Sequence, residues 1–313
     1  MSIKYEIVLC VGPQHVDIAD STLQNIIRYF EYTRIWIISR NSTLHSLKQN
    51  YSYINHLVFL EEDKVIPNVT LEKLKIYFEK RYSDKNRAGW YYQQFLKIQL
   101  CNFVDSSNYL IWDSDTVPLR KIDFFEDDKI LFHTSSEKHK PYFDTLNRLL
   151  GLGKTNPKSF ITEHLMVYRP EMIKLIETIQ KQNPNQQWPF TILDAVDNEN
   201  LSKSGFSEYE TYGTYAIQAS ADLYKIRTEV QQLKTYRHGT RLFSTKPNSH
   251  DLNLLAVLNY DYVTFEVWDT QTVKKTQLNK LLSKLSHIAS LYNLHFLNKW
   301  ILKKFKKELK KNT

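Results

Sequence analysis

Short apolar runs of strand length alternate with amphipathic helical patterns through the first two thirds of the chain. That alternation constrains the fold more than any other feature. Ile3 to Val11 reads as a first strand closed by Gly12-Pro13. A helix is expected from Asp20-Ser21, with Leu23, Ile26, Ile27 and Phe30 on one face. Arg34 to Ser39 and His56 to Leu60 read as further strands, and Leu71 to Arg81 as a helix. Strands separated by helices cannot pair as hairpins, so they predict βαβ units and a largely parallel sheet. No G-x-G-x-x-G or G-x-x-x-x-G-K follows the first strand, which excludes a dinucleotide fingerprint and a P-loop there.

A second constraint is Tyr109-Leu110-Ile111-Trp112-Asp113-Ser114-Asp115-Thr116. Four apolar or aromatic residues run into two carboxylates one residue apart. A strand buried on both faces cannot carry an unpartnered carboxylate in mid-run. Asp113 and Asp115 are therefore expected at the strand's carboxyl end, where open α/β sheets bind ligands. Paired carboxylates there suit a hard divalent cation and the phosphates it would hold. A solvated turn that caps a following helix is the bland alternative.

Upstream, Gly89 to Val104 is expected to be a long helix, with Trp90, Tyr91 and Tyr92 as packing residues. Gln93, Gln94 and Lys97 are harder to explain by packing. They read as groups that meet hydroxyl or phosphate oxygens, and Lys97 reads equally as a phosphate partner or as a solvated helix lysine. Glu126-Asp127-Asp128 reads as an exposed turn before a strand at Ile130 to His133. Ser159 to Tyr168 is strand-like but interrupted by Glu163-His164. In Phe206 to Gly213, Glu208 and Glu210 share a face only if the segment is extended. If it is helical they diverge, with Ser207 as cap and Glu210 at the third position of a capping box.

The 109–116 stretch and Gly89 to Lys97, with 206–213 in support, resemble metal-dependent glycosyltransferases of the GT-A fold, in particular bacterial enzymes of surface-polysaccharide and lipopolysaccharide assembly. The resemblance implies a GT-A-like α/β domain over about residues 1–270, with a mostly parallel central sheet flanked by helices. It implies a nucleotide-sugar donor and a glycan or glycolipid acceptor. Mn²⁺ or Mg²⁺ held through Asp113 and Asp115 would assist departure of the diphosphate. Gln94, Lys97 and Arg237 are the further donor-binding candidates. One of Glu208 and Glu210 would be the acceptor-side base of an inverting enzyme; a retaining enzyme would not use it in that way. The family's late histidine falls on His238, with His250 second. Arg237 and Arg241 beside His238 suit phosphate oxygens.

Charge separates the body from the carboxyl-terminal segment. The net charge is +8 over 313 residues. From Lys274 onward there are eleven lysines against one acid, Glu308, so the rest of the chain nets to −2. An acidic body argues against a nucleic-acid partner, because phosphate-tracking proteins spread basic residues over the groove. A nucleotidyltransferase acting on sugar phosphates would want a Gly-rich basic loop after the first strand, and Cys10 to His15 offers little of that. A basic nucleic-acid- or membrane-binding protein without catalysis is the third class. Leu278 to Tyr292 and Leu297 to Phe305 follow helical spacing among those lysines. Residues 271–313 are thus expected to be a basic amphipathic helical tail at an anionic membrane surface. Two cysteines without metal spacing suit a reducing compartment, and no cleavable leader pattern follows Met1. The expectation is a cytoplasmic protein, peripheral at the inner face of the membrane.

Overall fold

The computed structural model describes residues 3–82, 85–154, 156–269 and 273–312. In chain order the strands are β1 (Glu6–Cys10), β2 (Arg34–Ser39), β3 (Leu57–Glu61), β4 (Asn108–Trp112), β5 (Thr116–Pro118), β6 (Phe125–Glu126), β7 (Lys129–Phe132), β8 (His164–Tyr168), β9 (Tyr224–Ile226), β10 (Thr235–Tyr236) and β11 (Tyr262–Thr264). The helices are α1 (Val16–Tyr29), α2 (Asn41–Tyr51), α3 (Leu71–Tyr82), α4 (Ala88–Gln99), α5 (Lys140–Leu150), α6 (Arg169–Gln182), α7 (Trp188–Ala195), α8 (Asn198–Leu201), α9 (Glu208–Ala219), α10 (Gly239–Phe243), α11 (Ser249–Val257), α12 (Val273–Leu291) and α13 (His295–Asn312). The class is the expected one, mixed α/β with a mainly parallel central sheet and two carboxyl-terminal helices.

The chain divides into two compact units. Unit 1 holds Met1–Val11, Glu31–Asp113 and Asp123–Gln232; unit 2 holds Gly12–Phe30, Ser114–Ile122 and Leu233–Thr313.

The central sheet of unit 1 has the order β3-β2-β1-β4-β8. β1 runs parallel to β2 and β4, and β2 parallel to β3, while β8 is antiparallel to β4. Every residue of β1 is buried, as a strand covered on both faces requires. Its one charge, Glu6, is satisfied by Trp36 Nε1 at 2.7 Å and by the backbone N–H groups of Asp105 and Ser106 at 2.7 and 2.8 Å. A smaller sheet, β6-β7-β9, completes the unit's strands among the described residues. The β6–β7 connection is a two-residue turn with positive φ at Asp127 (51°) and Asp128 (62°). That is the twist-matched hairpin geometry, and it explains the acids there as turn residues.

Three local expectations shift. The helix expected from Asp20 begins at Val16, because Pro13 opens a 3₁₀ turn that feeds straight into it. The helix expected to reach Val104 ends at Gln99 and tightens into a 3₁₀ turn over Leu100–Asn102. The strand expected from Ser159 starts only at His164, because Glu163 sits at φ 60°, a left-handed conformation that breaks a ladder.

Unit 2 is built on the sheet β10-β11-β5. α1 lies on β5, with Asn25 Nδ2 donating to the Pro118 carbonyl at 2.8 Å. Its core joins Ile18, Val117, Leu242, Phe243, Leu255 and Phe265 to Phe305 and Leu309 of α13. The Phe305 ring stacks on Phe243 at 5.6 Å. The last two helices thus belong to this unit's packing. No described helix is long and apolar enough to cross a membrane.

Candidate active site

In unit 1, the strand sequence runs outward from β1 through β2 to β3, then returns to place β4 on the other side of β1. The carboxyl ends of β1 and β4 therefore mark a topological switch point. Asp113 is the first residue past β4, where the sequence pattern put it. Its backbone N–H donates to the Glu163 carbonyl at 2.9 Å, which fixes the chain as it leaves the sheet.

Two helices meet the Asp113 side chain. On α4, Gln94 and Lys97 stand three apart and so share a face. On α9, Glu208 and Tyr209 occupy the first turn. The Lys97 ammonium lies 2.5 Å from Asp113 Oδ1 and 2.7 Å from Glu208 Oε1. The Tyr209 hydroxyl donates to Asp113 Oδ1 at 2.8 Å, and the Lys97 Nζ lies 4.9 Å from the Tyr209 ring centre. Gln94 Oε1 accepts from the Glu208 backbone N–H at 3.1 Å, so it satisfies a helix N-terminal donor.

Burial decides what each group can do. The side chains of Lys97 and Glu208 are each 4% exposed, while Asp113 keeps 27%. Lys97 is therefore not a solvated helix lysine; its ammonium is engaged by Asp113 and Glu208. Burial works against its charge, but the carboxylates of Asp113 and Glu208 overcome that and hold its pKa above the ordinary lysine range. Burial raises the Glu208 carboxyl, opposed by Lys97.

Phe206 to Gly213 is helical from Glu208, so the two glutamates diverge; the extended alternative does not hold. Ser207 is the cap, its Oγ accepting from the Glu210 backbone N–H at 3.3 Å. Glu210 turns away from Lys97. It accepts from the Ser159 hydroxyl and, at 3.0 Å, from the Phe160 backbone N–H. His164 is buried, with Nδ1 2.9 Å from the Thr162 carbonyl and its ring stacked on Trp112 at 5.1 Å.

Unit 2 assembles a second polar group. β5, β11 and β10 continue past their ends, so that the Phe265 N–H donates to the Asp115 carbonyl at 2.8 Å while Phe265 bridges to His238. Asp115 and His238 thus stand in one row across the strands, with Phe265 between them. His238 Nδ1 lies 2.7 Å from Asp269 Oδ2. A carboxylate only accepts, so Nδ1 carries a proton. Asp269 also pairs with Arg241. Arg237 reaches Glu266 at 3.4 Å. Burial pushes the Glu266 carboxyl up to about 7, with Asp115 and Asp269 adding to the effect and Arg237 opposing it. The second histidine candidate, His250, stacks on His287 at 4.2 Å.

Three participants escaped the sequence reading: Tyr209, Glu266 and Asp269. The last two follow an apolar strand's carboxyl end, the same signal that singled out Asp113, and could have been found by it.

Among the described residues no three His, Cys, Asp or Glu side chains converge as a ready metal group. The donor chemistry nonetheless suits a divalent cation. Asp115 and His238 offer oxygen and imidazole in one row, and Asp269 orients the imidazole as a carboxylate does behind a metal-bound histidine.

Fold and side chains together define a mixed α/β protein with a buried charged cluster at the switch point of its central sheet. The chain belongs to the Family of unknown function (DUF6492), whose model matches residues 14–282. No curated protein matches the sequence. Among solved structures, mouse xyloside xylosyltransferase 1 in its apo form is similar at a TM-score of 0.44 and 10% identity, over 86% of this chain and 100% of that one. The galactosyltransferase LgtC in complex with donor and acceptor sugar analogues is similar at 0.44 and 9% identity, over 83% and 86%. The glycosyltransferase GlyE of Streptococcus pneumoniae TIGR4 is similar at 0.42 and 12% identity, over 98% of this chain and 64% of that longer one. All three are distant likenesses.

Proposed function

We propose that the chain is a glycosyltransferase that moves a sugar from a nucleotide-sugar donor to a glycan acceptor. The observation that carries this reading is Asp113 at the β1/β4 switch point, held by Lys97 and Tyr209 with one edge still open to solvent. An open α/β sheet binds its ligand at that position. A carboxylate fixed by a buried ammonium is positioned in advance, so none of its orientation has to be acquired on binding. The sequence resemblance gives the substrate class and the setting: bacterial cell-surface polysaccharide or lipopolysaccharide assembly, with a lipid-linked acceptor at the inner face of the cytoplasmic membrane.

From the sequence motif, Asp113 and Asp115 would hold Mn²⁺ or Mg²⁺, which supplies Lewis-acid help to the departing diphosphate; within its own unit Asp115 shares a strand row with His238. Arg237 and Arg241 add positive charge beside His238. Lys97 and Gln94 are positioning residues: Lys97 aims Asp113, and Gln94 anchors the first turn of α9. Glu208, in the same buried network, is the carboxylate of choice for the acceptor side. Glu210 serves the segment around Ser159 and Phe160.

The test is a screen of UDP-, GDP- and CMP-sugars for nucleotide release by the purified protein, with and without Mn²⁺. One donor class turned over above background is the expected result. Silence across all three, with no donor binding by calorimetry, would overturn the reading.

A further inference from the structure

α12 has its apolar side facing outward. Apart from Leu282, its buried positions are small or polar: Asn279, Ser283, Ser286 and Ala289. They are satisfied there, with Asn279 Nδ2 on the Leu242 carbonyl at 3.3 Å, Ser283 Oγ on Asp251 Oδ1 at 2.5 Å and Ser286 Oγ on Asn298 Oδ1 at 2.7 Å. The outward stripe is Leu278, Leu281, Leu285, Ile288 and Tyr292, at the three-and-four spacing of one helix face, and all five are exposed. α13, which packs on α12, adds exposed aromatics: Phe296 is 93% exposed and Trp300 54%. Large apolar side chains contiguous on one face mark an interaction surface.

We propose that this face docks on an anionic lipid bilayer, in the plane of the headgroups. Charge selects that occupant. Lys284, Lys299, Lys303 and Lys304 are exposed beside the stripe, and the sequence has no acid between Lys274 and Lys307. Two copies facing each other would bring like charges together, whereas an acidic headgroup layer meets the lysines while its acyl region takes the leucines and aromatics. Nothing on the inward face of α12 is disturbed by docking, because its polar side chains are already paired. This deepens the membrane part of the function proposed above. It is read without turnover, so failure here leaves the transferase reading standing, and failure of the transferase screen leaves this one.

The experiment uses the full chain with phosphatidylcholine vesicles, with and without about 30 mol% phosphatidylglycerol. Co-sedimentation at low salt with the anionic vesicles only, weakened by salt, is expected, together with a blue shift in fluorescence that the Trp300→Phe variant loses. The triple variant Leu281→Gln, Leu285→Gln, Phe296→Gln alters only exposed positions; it should keep its circular dichroism and bind at least about tenfold more weakly. Lys299→Glu with Lys303→Glu should lose the preference for anionic lipid. Absence of binding at low salt overturns the proposal, as does undiminished binding by the triple variant. A concentration-dependent dimer that the triple variant abolishes, without vesicle binding by the parent, assigns the face to self-association instead.

Discussion

The Lys97 ammonium and the Glu208 carboxylate meet at 2.7 Å across 111 residues of sequence, both buried. Neither has an alternative in water, so the pair ties α4 to the first turn of α9 and leaves the second proton-donor direction of Lys97 for Asp113. Removing the cation strands two carboxylates. Lys97→Met is expected to cost about 3–5 kcal/mol in guanidinium unfolding. The double variant Lys97→Met, Glu208→Leu should recover a good part of that, since it replaces a buried ion pair by apolar groups. A Lys97→Met cost below about 1 kcal/mol would show that the pair does not organise the site.

Acid should unfold unit 1 through its histidines. His133 and His164 are buried and stacked, ring centres 5.9 Å apart at 11°. Burial, aided by Arg227, pushes His133 down to about 4, and burial with its neighbour His133 holds His164 well below the ordinary value. Both folded values lie below the unfolded 6.5, so between them the unfolded chain binds more protons. Stability is present above pH 6.5 and is lost as pH falls toward 4. His133 alone accounts for roughly 3 kcal/mol once the pH is below 4. Denaturant titrations from pH 7 to 4 should show the loss, and His133→Phe should reduce it. A parent profile that stays flat down to pH 5 contradicts the assignment.

Gly213 in the middle of α9 is there for space. A Cβ at this position would lie 2.5 Å from Phe160 Cγ and 2.6 Å from its Cδ2, and Phe160 is itself buried. Gly213→Ala gains helix propensity of about 0.5–1 kcal/mol. It should still destabilise by about 1–3 kcal/mol net, because a packed ring has nowhere to go. An unchanged or raised unfolding midpoint would show that the segment around Phe160 can yield.

The sequence disclosed what depends on local pattern. β2, β4 and α3 fall within a residue of their expected bounds, because buried strands and amphipathic helices announce themselves by composition and spacing. Asp113 was legible for the same reason: a charge at the end of an apolar run has few places to go. Lys97 was legible as a candidate but not as a buried one, since its two partners come from β4 and α9 and only the fold unites them. α12 was legible as an amphipathic helix with a leucine stripe, but the seat of its other face was not: Asn279, Ser283 and Ser286 turn inward because Asp251, Asn298 and the Leu242 carbonyl accept from them. Polar partners outside a helix carry no signal in its own periodicity.

The two glutamates of α9 separate by kinetics. Glu208→Gln should lower kcat by roughly 10²–10⁴ with donor binding retained, as loss of a base would. Glu210→Gln should leave turnover within a few-fold and weaken stability by about 1–2 kcal/mol, because a neutral oxygen replaces the carboxylate that accepts from Ser159 and Phe160. The opposite pattern, a folded Glu210→Gln without turnover beside an active Glu208→Gln, would move the acceptor-side role to Glu210.

The most direct measurement is nucleotide release from the donor that the screen selects, followed for the parent and for Asp113→Asn, with Mn²⁺ and after exhaustive chelation. Asn keeps the shape at the end of β4 and removes the charge that Lys97 and Tyr209 hold in place. The account predicts turnover by the metal-loaded parent, a fall of at least about 10²-fold in Asp113→Asn with its fold intact, and a comparable fall on chelation. Parent-level turnover by a folded Asp113→Asn would contradict it, whatever the metal content.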